Sequence, residues 1–329
     1  MKNLAIDVGF GKTKGMVADK KVAIPSLLSN FQPISFIGMS EKSDIEQLAY
    51  SYNGDRYYVG DLAIRHGIPM GSLSANRTVE TEGIIFFLVM VDLLSDEQNH
   101  NAVVGLPVNE YNRLRGAYKK ALKGEHTLSR LYLSGTIKER KTFHINDVRV
   151  IPQPFGAYLN KLLGIGVDKS WYASNIGVID IGHYTVDLAR ISEMEFHSES
   201  SVSYSDVGVS NVYQSVSKGI QTTYGIQVLP EKLEEIIISK KLRIKGQDHN
   251  IQNIVSGSVS QTAQAIVNRV NNVWQGCVDL DRILITGGGG PLLGNYIKRL
   301  LDHDYIEICD RGVYGNVEGY QKYAQKIWG

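Results

Sequence analysis

Cysteine is nearly absent from this sequence. Its two cysteines, Cys277 and Cys309, cannot build a disulfide framework and lack the spacing of a zinc site. They read as small buried hydrophobes in a reducing compartment. An excess of one charge is missing too: 35 Lys and Arg face 34 Asp and Glu, a net charge of +1. That balance gives no reason to expect non-specific attraction to nucleic acid or to an anionic membrane. The greasiest run, Ile84 to Val91, is closed by Asp92 and falls far short of a bilayer span. Met1-Lys2-Asn3 runs straight into a strand pattern without a secretory apolar region, so the expected location is cytoplasmic. The eight histidines show no metal-like spacing. What is present is ordinary: 43% hydrophobic and 21% charged residues over 329 positions, enough for one large domain or two of usual size.

Along the chain, strand patterns alternate with helix patterns, which argues an α/β architecture. Leu4-Ala5-Ile6 reads as a buried strand, Asp7 to Lys12 as a glycine-containing turn and Lys14 to Val17 as a returning strand. A polar, tyrosine-bearing stretch from about Gln32 to Tyr58 reads as irregular or as a small inserted subdomain. An apolar helix near Ile84–Leu94 precedes a short strand, Ala102 to Leu106, ended by Pro107. Asn109 is the expected cap of a basic helix reaching roughly to Lys123. Its Arg113, Arg115, Lys119, Lys120 and Lys123 fit either a solvated face or a contact between subunits. The second half opens with a strand (Ile176 to Ile181), a turn (Gly182 to Tyr184) and a returning strand (Thr185 to Ile191). Pro230 starts a helix, a longer helix carries Val259 to Trp274, and Ile283-Leu284-Ile285 is a strand before a run of glycines. A last helix spans about Val317 to Trp328.

One repetition organises this pattern. Ile6-Asp7-Val8-Gly9 recurs as Ile179-Asp180-Ile181-Gly182, each at a strand–turn–strand that opens an α/β half. A single Ile-Asp-x-Gly carries little information, but the pair implies a duplicated architecture with two equivalent hairpins.

The hairpins carry the parts a polyphosphate needs: backbone N–H donors that glycine allows to approach closely, a cation, and carboxylates for Mg²⁺, which prefers few protein ligands and several waters. Asp7-Val8-Gly9-Phe10-Gly11-Lys12-Thr13-Lys14 offers a carboxylate at a strand end, turn glycines and two lysines, of which Lys14 can reach back to a phosphate. Asp180-Ile181-Gly182-His183-Tyr184-Thr185 offers a second carboxylate and turn amides. Turn chemistry alone would also place Asp and Gly at either site. The third element, Thr286-Gly287-Gly288-Gly289-Gly290-Pro291, joins a strand to a helix. Four successive glycines are entropically costly, and such a run lets backbone lie flat against a base and ribose. It is neither the Gly-x-x-x-x-Gly-Lys-Ser/Thr loop nor the Rossmann spacing.

Taken in order, these motifs resemble the actin-like superfamily. They match its two phosphate hairpins (Asp7–Lys14 and Asp180–Thr185), its adenosine motif (Gly287–Gly290) and its connecting helices, at Gln153-Pro154-Phe155-Gly156-Ala157 and Asn316-Val317-Glu318-Gly319-Tyr320. Tyr58 to Ala63, Val104 to Pro107 and Asp206 to Ser210 are similar to the ParM/StbA-like plasmid-segregation branch and to archaeal actin-like proteins. The resemblance implies a two-domain, duplicated ribonuclease H-like α/β fold with the nucleotide in the interdomain cleft. The first domain would cover 1–160 with the helix 316–329, and the second 161–315. It implies ATP or GTP as ligand, and Mg²⁺ held by Asp7 and Asp180 mainly through water. Gly9, Phe10, Gly11, Lys12, Thr13, Lys14, Gly182, His183, Tyr184 and Thr185 would meet phosphate. Glu231, Lys232 and Glu235 would flank the adenine and ribose, as would Gly287, Gly288, Gly289 and Gly290. Gln153 would orient the attacking water, with Asp7 and Asp180 completing the catalytic set. Phe10 stands where many relatives carry a small hydroxyl residue, and His183-Tyr184 where smaller or acidic residues are common.

The implied function is a slow ATPase that assembles into filaments, with ATP closing the cleft and hydrolysis loosening the polymer. Its partners would be further copies of itself and a DNA-binding adaptor in plasmid segregation, with no direct DNA binding. A small-molecule kinase of the same superfamily is the alternative, and it needs an acidic base beside an acceptor hydroxyl. A chaperone-type ATPase would need a substrate-binding domain beyond the nucleotide module.

Overall fold

The computed structural model describes residues 1–34, 43–68, 70, 76–309 and 312–329. The chain forms two compact units, Met1–Val167 with Tyr314–Gly329, and Asp168–Val313. The strands of the first are β1 (Lys2–Val8), β2 (Lys12–Val17), β3 (Lys20–Pro25), β4 (Leu28–Asn30), β5 (Leu48–Tyr52), β6 (Asp55–Val59), β7 (Asn99–Leu106), β8 (Gly124–Leu131) and β9 (Ile137–Pro152). Its helices up to residue 167 are α1 (Asp61–His66), α2 (Thr81–Leu94), α3 (Val108–Leu122) and α4 (Gln153–Leu162). All nine strands join one sheet in the order β3-β2-β1-β7-β9-β8-β5-β6-β4. β1 pairs in parallel with β7, and β7 with β9, while β2 and β3 run antiparallel at the edge. Ten of the fourteen residues of α2 are buried, as a helix apolar on every side must be. Its one acidic residue in that core, Asp92, accepts from the Tyr50 hydroxyl at 2.7 Å and pairs with Lys141 at 2.9 Å.

The second unit contains β10 (Asn175–Ile181), β11 (Val186–Ser192), β12 (Glu195–Tyr204), α5 (Val209–Tyr224), α6 (Pro230–Ser239), β13 (Lys241–Ile244), β14 (Gln247–Asn250), α7 (Gln252–Trp274), β15 (Arg282–Thr286), α8 (Gly290–Leu300) and β16 (Ile306–Ile308). Its main sheet has the order β12-β11-β10-β15-β16. That order, antiparallel on one side of β10 and parallel on the other, repeats β3-β2-β1-β7-β9 of the first unit. Val259, Ala263, Ile266, Val267 and Val270 of α7 line its core at helical spacing. The chain then returns to the first unit with α9 (Gly315–Trp328). There α9 crosses α4 at backbone distance: a Cβ on Gly319 would lie 1.8 Å from the Gly156 carbonyl oxygen.

Two expectations are corrected. The stretch Gln32–Tyr58, expected to be irregular or a small inserted subdomain, carries regular strands in its second half. β5 and β6 form a hairpin inside the large sheet, and Tyr50 and Tyr58 are fully buried. Their hydroxyls find Asp92 and the Gln32 carbonyl, which is what burying a tyrosine requires. Residues 35–42 of that stretch lie outside the described residues. The basic helix begins one residue before Asn109, with Pro107 as its flanking residue and no side-chain cap.

Candidate functional site

In the first unit β1 carries Asp7 at its penultimate position, 2% exposed. The β1–β2 register sets Lys14 directly opposite, and opposed residues of an antiparallel pair share a face. Lys14 Nζ therefore meets Asp7 Oδ2 at 2.9 Å. The other oxygen, Oδ1, accepts from Gln153 Nε2 at 2.8 Å. Gln153 is the first residue of α4, delivered by the end of β9, with Pro154 suited to the first helical turn. With its NH₂ on Asp7, the side chain has its carbonyl oxygen as a hydrogen-bond acceptor. Behind it, the Tyr320 hydroxyl of α9 donates to the Gln153 main-chain carbonyl at 3.2 Å.

The rest of this hairpin divides. A Cβ on Gly9 would lie 2.9 Å from the Lys12 carbonyl and 3.4 Å from Lys14 Nζ, so the ammonium stands over the turn backbone. Lys12 is exposed and Phe10 and Gly11 are half-buried. The Thr13 side chain turns inward: it is fully buried, with Oγ1 2.8 Å from Ser26 Oγ. Its hydroxyl anchors β2 to the segment after β3.

In the second unit Asp180 holds the same penultimate position in β10. Register places Asp187 of β11 on one side of it and Thr286 of β15 on the other. Ser203 of β12 donates to Asp187, so Ser203, Asp187, Asp180 and Thr286 form a polar row across the sheet. The turn closes by Gly182 N–H donating to the Thr185 carbonyl at 2.8 Å. The His183 ring contacts Tyr184 edge-on at 4.4 Å and Tyr213 of α5 at 5.4 Å. Burial, aided by the Glu234 charge, pushes the Tyr213 hydroxyl up to about 12.

The glycine run is tied to β10 by Gly289 N–H donating to the Ile181 carbonyl at 2.8 Å. Gly287 has φ +85°, and a Cβ there would lie 2.3 Å from Asp180 Oδ1 and 2.5 Å from the Ile181 carbonyl. One on Gly289 would meet the Ile181 side chain at 2.4 Å, whereas Gly288 meets only Val313 Cγ1, at 3.1 Å. Much of the run is thus explained by the chain's own packing. Glu231, Lys232 and Glu235 stand on the exposed face of α6, whose Leu233 and Ile237 face the core.

Asp187 and Tyr118 were not anticipated from the sequence. Asp187 follows from mirroring Asp180 across its turn, a signal that needs the hairpin register. Tyr118 of α3 is fully buried, and its hydroxyl is raised well above the ordinary range by burial and then by the charge of Asp7. Among the described residues no cluster of three or more His, Cys, Asp or Glu could hold a metal ion. In each unit by itself a buried carboxylate, Asp7 or Asp180, stands at a strand end beside turn amides, a donor type that suits a cation keeping most of its waters, as Mg²⁺ does. Among the described residues no helix is long and apolar enough to cross a membrane.

Two protein families match in sequence. Residues 5–156 match the N-terminal domain of actin-like proteins, and residues 178–299 the C-terminal domain of the archaeal MreB-like actin homologues. No curated protein matches the chain. Among solved structures, an archaeal actin homologue in complex with ADP is 20% identical with a TM-score of 0.80, covering 99% of this chain and 100% of its own. A ParM from a 15-stranded filament of Clostridium botulinum is 23% identical with a TM-score of 0.76, covering 99% of each chain. A Bacillus thuringiensis ParM with AMPPNP is 16% identical with a TM-score of 0.75, again over 99% of each. The fold is the two-domain actin-like fold. The chain belongs to the actin-like superfamily, with both family matches falling in the expected order along it.

Proposed function

We propose that this chain is a nucleotide-dependent, filament-forming ATPase. The observation that carries the reading is the equivalence of Asp7 and Asp180. Each is a buried carboxylate beside a glycine turn, at the penultimate position of the middle strand of a five-strand order that both sheets contain. Asp7 and Asp180 would hold Mg²⁺ through water, and Gly9 to Lys12 with Lys14 in the first hairpin and the turn Gly182–Thr185 in the second would meet the phosphates. Gly288, the exposed residue of the glycine run, would lie against a base. When bound, Mg²⁺ offsets phosphate charge and orients the nucleotide. Gln153 has its amide fixed by Asp7 and its backbone by Tyr320, so it orients a water without acting as a base. That suits slow hydrolysis of the kind a switch uses.

Family membership and the filament formed by the Clostridium botulinum ParM support assembly of further copies head to tail, which gives open polymers. A role in plasmid segregation through a DNA-binding adaptor follows the same resemblance, and the near-neutral charge suits a polymer that does not hold DNA itself. Sedimentation tests the reading: the protein should pellet with Mg-ATP and less with Mg-ADP. A chain that stays in the supernatant across salt and nucleotide conditions is not a filament protein.

A further inference from the structure

Phe10 and His183 occupy equivalent places, each following the glycine of a repeated Ile-Asp-x-Gly sequence. In the second unit the His183 carbonyl accepts from the Ser210 N–H at 2.8 Å, and the Gly182 carbonyl from the Val209 N–H at 3.1 Å. The first amides of α5 therefore hold that turn. In the first unit the equivalent Phe10 carbonyl is held by a side chain, Arg77, whose Nη1 donates at 3.3 Å. Arg77 belongs to a short 3-10 turn, Arg77–Val79, before α2, and is only 5% exposed. Its Nη2 donates to the Ser26 carbonyl at 2.6 Å and its Nε to Glu82 Oε1 at 2.9 Å. Its guanidinium lies 5.6 Å from the Phe10 ring centroid and 5.2 Å from that of Phe86. A buried guanidinium is costly unless its planar fork of donors is matched, and here each edge has a partner.

A trans peptide is planar, so fixing a carbonyl aims the next N–H the opposite way. Holding the Phe10 carbonyl on Arg77 turns the Gly11 N–H away from Arg77. We infer that Arg77 is a positioning residue of the first hairpin, fixing the Phe10–Gly11 peptide so that the Gly11 N–H serves a polyphosphate. It replaces what the α5 amides do in the second hairpin. Phe10, which stands in place of a small hydroxyl residue, shields the guanidinium. The inference rests on the reading of Asp7–Lys14 as a nucleotide hairpin.

The test is calorimetric titration of Mg-ATP into the full chain and into Arg77→Lys and Glu82→Gln, with folding checked by circular dichroism. Lysine keeps the charge but cannot span the three acceptors, so binding should weaken about tenfold or more. Glu82→Gln disturbs the ion pair but leaves both carbonyl contacts, so its affinity should stay within about threefold of wild type. In ¹⁵N-glycine-labelled wild type, the Gly11 amide signal should shift on adding Mg-ATP, a readout that stands even if Arg77→Lys does not fold. Unchanged affinity in Arg77→Lys, an equal loss in Glu82→Gln, or an unresponsive Gly11 amide each overturns the inference alone. Wild type that binds no Mg-ATP overturns the nucleotide reading and this inference with it.

Discussion

Replacing Gly287 by alanine should unfold the second unit at lower temperature and separate the structural from the nucleotide explanation of the glycine run. The backbone there has φ +85°, which costs an L-residue about 1–2 kcal/mol. The new methyl would also stand 2.3 Å from Asp180 Oδ1 and 2.5 Å from the Ile181 carbonyl. The second is backbone in a central strand and cannot rotate aside, so overpacking adds about 1–3 kcal/mol. Together these come to about 2–5 kcal/mol, or a fall of roughly 5–15 °C in melting temperature for a domain of this size. The control is Gly257→Ala in α7 of the same unit, where the position is exposed and a Cβ meets nothing within 4 Å. It should stabilise by about 0.5–1 kcal/mol, since alanine suits a helix interior better than glycine. Differential scanning calorimetry without nucleotide compares the two. If Gly287→Ala melts within about 1 °C of wild type, the packing argument is wrong and the glycine is there for a ligand.

Three further outcomes follow from other parts of the molecule. Asp180→Ala should abolish Mg-ATP hydrolysis and weaken Mg-nucleotide binding; a variant with intact activity and affinity removes Asp180 from the metal site. Gly105→Ala would put a Cβ 2.1 Å from the Tyr320 hydroxyl and 2.8 Å from Gln153 Cγ. It should move Gln153 off Asp7 and lower kcat about 10- to 100-fold, and steady-state phosphate release with kcat unchanged would refute that. His100 is fully buried, and burial lowers its pKa from 6.5 to about 4 against the raising effect of Glu97. Above pH 6.5 the ring is neutral folded or unfolded. Between 6.5 and 4 the unfolded chain gains a proton that the folded one does not. Stability should therefore fall across that window, by about 3 kcal/mol at most. Urea melts at a series of pH values should show the loss in wild type and a flatter profile in His100→Leu.

The central strands were legible because β-branched runs such as Ile176 to Ile181 end at Asp-x-Gly turns, and both signals are local. The middle of the large sheet was not. β8 and β9 bury Leu128, Phe143 and Ile145, but in β9 the exposed His144 stands between the last two, and Lys138, Glu139 and Arg140 are exposed in a row. A strand wet on one side offers no continuous apolar run. Tyr50 and Tyr58 misled for a related reason. A tyrosine reads as polar until its hydroxyl is given a buried partner, and Asp92, which partners Tyr50, lies 42 residues away.

The site shows the same division more sharply. Asp7 and Asp180 were readable because their task, presenting a carboxylate at a strand end, admits few substitutes and so recurs as a motif. Holding the turn in shape is a different task. Any donor aimed at the carbonyl will do it, whether a backbone N–H at the start of α5 or the guanidinium of Arg77. Two such donors share no sequence pattern, and Arg77 lies 67 residues from the Phe10 carbonyl it meets. Its role is visible only once the two hairpins are laid side by side and the same carbonyl is found bonded in both. Internal repetition thus marks the groups whose chemistry is fixed, and the comparison of the two copies locates the groups whose chemistry is interchangeable.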